Sequence, residues 1–297
     1  MDKQSSPADY IKLHFIVVIL GFTAILGRLT ETSSLGVVFW RTLLAAVGMY
    51  VTARILKKDL SISFRKALPL IGIGAVMSLH WMCFFGSARA ATIAVSLVTF
   101  STTSFFTSLL EPFIMKKKIS WIEVFLGVLV VIGMYFVFKF EGKYLTGIII
   151  GLIGAVLATI FSSFNARLAH EYEPQLITFY EIVGAFLSCI IYIPLILFIT
   201  KDDFQLIPTG NDWLWLAVLG FVCTVYPYIE MIKLLRKFSA YMLNLSINME
   251  PIYGILLAYV IFGEKEKMTG GFYIGGALIL ASVLLYPVLK SFSSKEK

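Results

Sequence analysis

Six ionisable side chains stand inside apolar runs of this sequence: Arg41, His80, Glu111, Glu181, Glu230 and Glu250. In hydrocarbon such a group costs a few kcal/mol, about 2.5–3.5 for Arg, Lys or Asp at mid-depth on insertion scales, so it normally faces a bundle interior or a watery cavity. Glu250 and His80 fall near the middle of their runs. A carboxylate at that depth either counters a cationic group or exchanges a proton; an interhelical hydrogen bond is the structural alternative for both residues. Thr99 and Thr103, like Ser246 and Glu250, are four apart and so share a helix face, with Asn248 close by. Hydroxyls of this kind either bond a substrate or turn back to their own backbone. Trp81 and Tyr228 supply aromatic walls that suit an aromatic or amphipathic metabolite. The candidate substrate-binding or coupling set is therefore Glu250, His80, Trp81, Thr99, Thr103, Asn248 and Tyr228. Arg41, toward the outer end of its run, and Glu181 form a candidate charge pair for gating, with snorkelling of Arg41 to headgroups as its alternative. Glu111, Glu181 and Glu230 lie toward the cytoplasmic ends, where salt bridges to Lys116–Lys118, Lys233 or Arg236 are the simpler reading.

Other chemistries lack their residues. His14, His80 and His170 are far apart, and neither Gly-x-Ser-x-Gly nor Gly-x-x-x-x-Gly-Lys occurs, so the sequence points to no enzyme, no cofactor and no metal site. Cys83, Cys189 and Cys223 sit in apolar stretches without Cys-x-x-Cys spacing. The net charge of +7 comes from basic residues in short loops, not from a patch suited to nucleic acid. With no nucleotide motif, any transport would draw on a gradient, which makes protons a candidate partner, on exchange, or on the substrate's own concentration.

The elements that must carry these residues are membrane helices. Hydrophobic residues make up 59% of the chain and charged ones 14%, against roughly 25% charged in soluble domains, and the mean hydropathy is +0.87. Apolar runs bounded by charges or turn residues predict ten spans: 13–29, 36–56, 67–88, 91–115, 121–138, 146–168, 175–199, 212–233, 239–262 and 270–289. The run 13–29 has a signal-peptide-like length, but no small-x-small cleavage site follows it, and it reads as the first span. Lys and Arg number 17 on the side of the N-terminus and 7 on the other, which predicts both termini in the cytoplasm of a multi-pass inner-membrane protein.

An internal repeat runs through these spans. Gly36–Ala45 aligns with Leu176–Ala185, which pairs Arg41 with Glu181; later the offset is about 147, pairing Arg89 with Arg236, Thr99 with Ser246, Thr103 with Glu250 and Trp81 with Tyr228. Five spans per half is an odd number, so the second half enters the membrane inverted. The expected layout is a cytoplasmic N-terminus (1–12), a first repeat (13–138), a connecting loop (139–146), a second repeat (147–289) and a cytoplasmic tail (290–297). The fold class is all-α, with ten transmembrane helices as two inverted five-helix repeats. Gly147-x-x-x-Gly151 and Gly271-x-x-x-Gly275 read as packing contacts inside the bundle, leaving monomer or homodimer open.

Arg41-Thr-Leu-Leu-Ala45 after a short outer loop, and Ile261-Phe-Gly-Glu264 before a glycine-rich last helix, resemble the EamA family of the drug/metabolite transporter superfamily, over roughly 13–138 and 147–287. The resemblance implies a basket of two inverted five-helix bundles around a central cavity and, most commonly, export of amino acids or other small metabolites. One departure is that the first half reads Glu111-Pro112-Phe-Ile-Met-Lys116-Lys117 where the family often carries a second Gly-Glu. The functional expectation is a secondary transporter working by alternating access, with a midplane site between the repeats. A lipid scramblase or flippase with a polar interhelical groove is the alternative.

Overall fold

The computed structural model describes residues 5–140, 142–200, 205–263 and 269–295; Glu264 of the Gly-Glu motif lies outside them. Every regular element among the described residues is helical. The helices are α1 (Pro7–Leu29), α2 (Ser34–Ile55), α3 (Phe64–Ala90), α4 (Ile93–Phe100), α5 (Thr103–Ile114), α6 (Trp121–Phe140) and α7 (Leu145–Leu168). They continue as α8 (Pro174–Thr200), α9 (Asp212–Ala217), α10 (Tyr226–Leu234), α11 (Ala240–Ile247), α12 (Glu250–Phe262) and α13 (Gly270–Lys295). Helices are what lipid demands of this sequence, because each backbone N–H and C=O must find its partner within the segment. Among the described residues, eight spans are long and apolar enough to cross a membrane, three of them composite: Ile93–Ile114, Asp212–Leu234 and Ala240–Phe262. Trp121–Phe136 and Gly270–Tyr286 are shorter apolar helices.

The composite spans depart from the uninterrupted helices expected over 91–115, 212–233 and 239–262. One break falls at Ser101–Thr102 and another at Asn248–Met249, at the repeat's own offset. The physical cause at the second is Pro251 in the first turn of α12, which has no N–H to continue the ladder. At the first, hydroxyls compete for the backbone: Ser101 donates to Leu97 O, Thr102 to Thr99 O and Ser104 to Ser101 O. The short half-helices are capped in matching fashion. Thr92 accepts from the Val95 N–H and Ser239 from the Met242 N–H, each at 3.1 Å. The third interruption is a π-helical stretch, Val218–Val225, between α9 and α10.

Packing interleaves the two halves of the chain. α7 lies against α3, α4 and α5, while α1 lies against α9, α10, α11, α12 and the π stretch, so each half lends its first helix to the other. α6 and α13 pair with each other. The tightest approach joins α3 to α8, where a Cβ added to Gly74 would sit 2.0 Å from Glu181 O and one added to Gly184 would sit 2.3 Å from Ile71 O.

The repeat partners Arg89 and Arg236 make equivalent staples. Arg89 Nη2 donates to Gly27 O and Thr32 O at the end of α1, and Arg236 donates from Nε to Ala169 O and from Nη2 to Tyr172 O at the end of α7. Each guanidinium satisfies carbonyls that a helix C-terminus leaves free. Acidic side chains strap the face formed by the α5–α6, α7–α8 and α10–α11 turns: Lys237 pairs with Asp9, Lys12 and Lys233 with Glu230, and Lys117 with Glu111. Glu111 also accepts from the Ala240 and Tyr241 N–H groups at the start of α11. On the opposite face Asp212 accepts from the Glu31 and Thr32 N–H groups and from the Thr32 hydroxyl.

Candidate functional site

The two helix breaks meet at a central chamber. Counted out to its open mouth, it holds about 770 Å³ and takes its walls from α1, α2, α3, α4, α5, α7, α10, α11 and α12. Of the nine residues singled out from sequence, seven line it: Arg41, His80, Trp81, Thr103, Tyr228, Asn248 and Glu250.

Arg41 is the largest fully buried side chain among the described residues, so it does not snorkel to the headgroups. Its Nε donates to Thr224 Oγ1 at 2.8 Å and its Nη2 to Cys223 O at 3.3 Å. The π stretch makes both contacts available. Its wider turn lets the Thr224 hydroxyl donate to Leu219 O, five residues back, beside the Cys223 carbonyl that Arg41 also reaches. The guanidinium carbon lies 4.1 Å from the centre of the Trp81 ring, within cation–π range. Trp81 in turn donates from Nε1 to Tyr228 Oη at 2.9 Å, joining the two aromatic repeat partners edge to face.

Glu250 enters the chamber as the first residue of α12. Its carboxylate makes no hydrogen bond among the described residues. A cation from the first half of the chain and a carboxylate from the second thus face one cavity. Asn248 donates from Nδ2 to Ser104 Oγ at 3.0 Å, tying one break to the other. His80 rests between Phe100 and Phe161, and its Nδ1 lies 3.0 Å from Gly154 O. A carbonyl only accepts, so Nδ1 carries the hydrogen.

Thr99 and Glu181 do not join this set. Thr99 is fully buried, donates to Val95 O at 2.7 Å and presses its methyl toward Gly151 on α7. The break at Ser101 is the reason, since four-residue spacing keeps two side chains on one face only along an unbroken helix. Glu181 is buried on α8, accepts from Asn165 Nδ2 at 3.1 Å, and leaves Oε1 without a partner. Its contacts are with α7 and α3. Glu111 and Glu230 do form the expected ion pairs with basic residues.

Sequence reasoning missed Thr224 and Cys223 as the holders of Arg41, because a π bulge leaves no mark in apolar periodicity. It also left Asn244 outside the site. This residue lines the chamber and donates to Thr107 Oγ1 at 2.8 Å and to Ser162 Oγ at 2.9 Å. An asparagine inside an apolar run was the available signal.

Comparison with known proteins fits this geometry. Residues 10–139 and 145–286 match the model of the EamA-like transporter family. An uncharacterized transporter of Archaeoglobus fulgidus is 26% identical over 154 residues, 52% of each chain. One of Synechocystis is 27% identical over 96 residues, 32% of this chain and 27% of its own. The chain thus spans about half the length of the first relative and a quarter of the second. A solved crystal structure superposes with a TM-score of 0.71 over 96% of this chain and 99% of its own; at 15% identity that likeness speaks for the fold alone. With matches over both halves, this chain belongs to the EamA-like transporter family, and its apolar helices make it a multi-pass membrane protein.

Proposed function

We propose that the chain is a secondary transporter that exports small zwitterionic metabolites such as amino acids by alternating access. The observation that carries the reading is the chamber faced by Arg41 and Glu250, which come from opposite halves and stand among aromatic rings. A carboxylate on the substrate would meet the guanidinium and an ammonium group would meet the Glu250 carboxylate, both removed from bulk water where such contacts are strong. Export follows the resemblance to the family. Ten spans in two inverted repeats, with α6 and α13 as the fifth and tenth, accord with the two family matches and with helix breaks, caps and arginine staples that recur at equivalent positions. The excess of basic residues on one side supports an inner-membrane orientation with both termini in the cytoplasm.

In this scheme the moving bodies are not the two halves of the sequence. They are α3–α5 with α7, and α9–α12 with α1, because each half has lent its first helix to the other. Motion between them would alternately release the Glu111 contacts to the start of α11 and the Arg236 contacts to the end of α7 on one face, and the Arg89 contacts to the end of α1 on the other.

Thiol accessibility tests the alternation. Thr23 and Ser162 both line the chamber, each near the end of its helix, α1 for one and α7 for the other, and so toward opposite faces. Cysteine at either position is close to isosteric. In a background with Cys83, Cys189 and Cys223 replaced, saturating substrate is expected to raise the reactivity of one position toward a membrane-impermeant reagent and lower that of the other. Reactivities that rise together or stay fixed would describe a pore or a static cavity.

A further inference from the structure

A second cavity opens on the flank of the bundle, between α4, α12 and α13, and holds about 710 Å³ counted to its mouth. Its walls are apolar, with Val98 from α4, Ile255 and Leu256 from α12, and Phe272 and Ile279 from α13. Three residues, Ser101, Asn248 and Pro251, line both this cavity and the central chamber. They belong to the two helix breaks, so the partition between polar chamber and apolar flank is only the discontinuity itself. The outer rim carries exposed apolar side chains, Leu256 and Tyr273 among them, on a surface that a membrane span turns toward hydrocarbon. Gly276 stands on the α13 wall, and a Cβ added there would meet no atom within 4 Å. A comparable apolar groove along α3 and α7 shares only the Phe161 side chain with the chamber and reaches neither break.

We infer that the transported molecule is an amphiphile whose charged head occupies the chamber between Arg41 and Glu250 and whose apolar tail passes the helix breaks into the flank cavity between α12 and α13. This rests on the proposed role of the chamber and adds the substrate class. The occupant follows from continuity, because a polar cavity with opposite charges and a dry, hydrocarbon-facing one meet at three side chains. A head alone would leave the flank unused, and a bilayer chain alone would have no reason to adjoin the charges.

The test uses the full-length protein in nanodiscs and a series of linear 2-aminoalkanoic acids with side chains of two to ten carbons, with binding followed by the fluorescence of Trp81 on the chamber wall. Wild type should bind the short members and then gain roughly three- to four-fold in affinity per methylene once the tail reaches the flank. Gly276→Leu should fill the flank, leave the short members unchanged and flatten that gain; Leu280→Phe on the same wall should do the same by a different side chain. Gly72→Leu, in the unconnected groove, should keep the wild-type slope. Equal slopes in wild type and in both flank variants would overturn the inference while leaving the chamber as the binding site. So would a photoreactive ten-carbon member that labels α12 and α13 without competition from the two-carbon member, since the flank would then take apolar chains independently of the chamber. Failure of every member to bind wild type would remove the chamber reading and the inference together.

Discussion

Arg41→Leu is expected to abolish saturable transport while leaving a folded protein. Truncating one partner of a buried charge pair costs about 2–5 kcal/mol, most of it from the charge left unpaired, which corresponds to a loss of about 30-fold or more in kcat/KM. The unpaired group here would be the substrate's carboxylate. Folding should survive because the guanidinium's protein contacts are one hydroxyl, one carbonyl and two ring faces, and Thr224 keeps its own bond to Leu219 O. Arg41→Lys separates charge from shape. An ammonium restores the charge but not the flat stack on Trp81 or the fork toward Thr224 and Cys223, so KM should rise with part of kcat retained. Flux assays in proteoliposomes, beside a thermal-shift control, distinguish these outcomes. Wild-type kinetics in Arg41→Leu would assign the residue to packing.

The second large effect concerns the scaffold. Gly74→Val should destabilise the protein by about 3 kcal/mol or more, at or beyond the usual range for overpacking, because the nearest obstacle is backbone and not a flexible side chain. The new Cβ would lie 2.0 Å from Glu181 O and 2.8 Å from Ala185 N, so α3 and α8 must part. Gly72→Val is the internal control. Two residues away on the same helix, its Cβ meets nothing within 4 Å, and the thermal midpoint should stay close to wild type. Similar midpoints for the two variants would mean that the α3–α8 contact is looser than described.

How much of this was legible in the sequence differs from residue to residue. Hydropathy placed the helices well, as with 36–56 against Ser34–Ile55 and 67–88 against Phe64–Ala90, since desolvating backbone is the dominant constraint in lipid. Glu250 and His80, legible in the sequence as ionisable groups at mid-depth, both line the chamber. The interruptions were harder. Pro251 announced one break, whereas Ser101–Thr102 sits in a run of hydroxyl residues that fit an intact helix equally well, and its loss of register turned Thr99 toward α7. For Arg41 the depth along its span is readable from sequence, while the direction that the side chain faces is not. That direction depends on which helices pack beside α2 and on a π stretch whose Thr224 lies 183 residues away in the chain.

The central claim is that the Arg41–Glu250 chamber is a transport site for solutes. Flux of a panel of labelled amino acids and related metabolites through the reconstituted protein, with and without a pH gradient, in wild type and in Glu250→Gln, tests it most directly. The expected result is saturable flux of a zwitterionic solute in wild type and its loss in Glu250→Gln. Undiminished flux in the variant, or movement of lipid between leaflets with no solute flux at all, would contradict the account, and the second outcome would put lipid scrambling in its place.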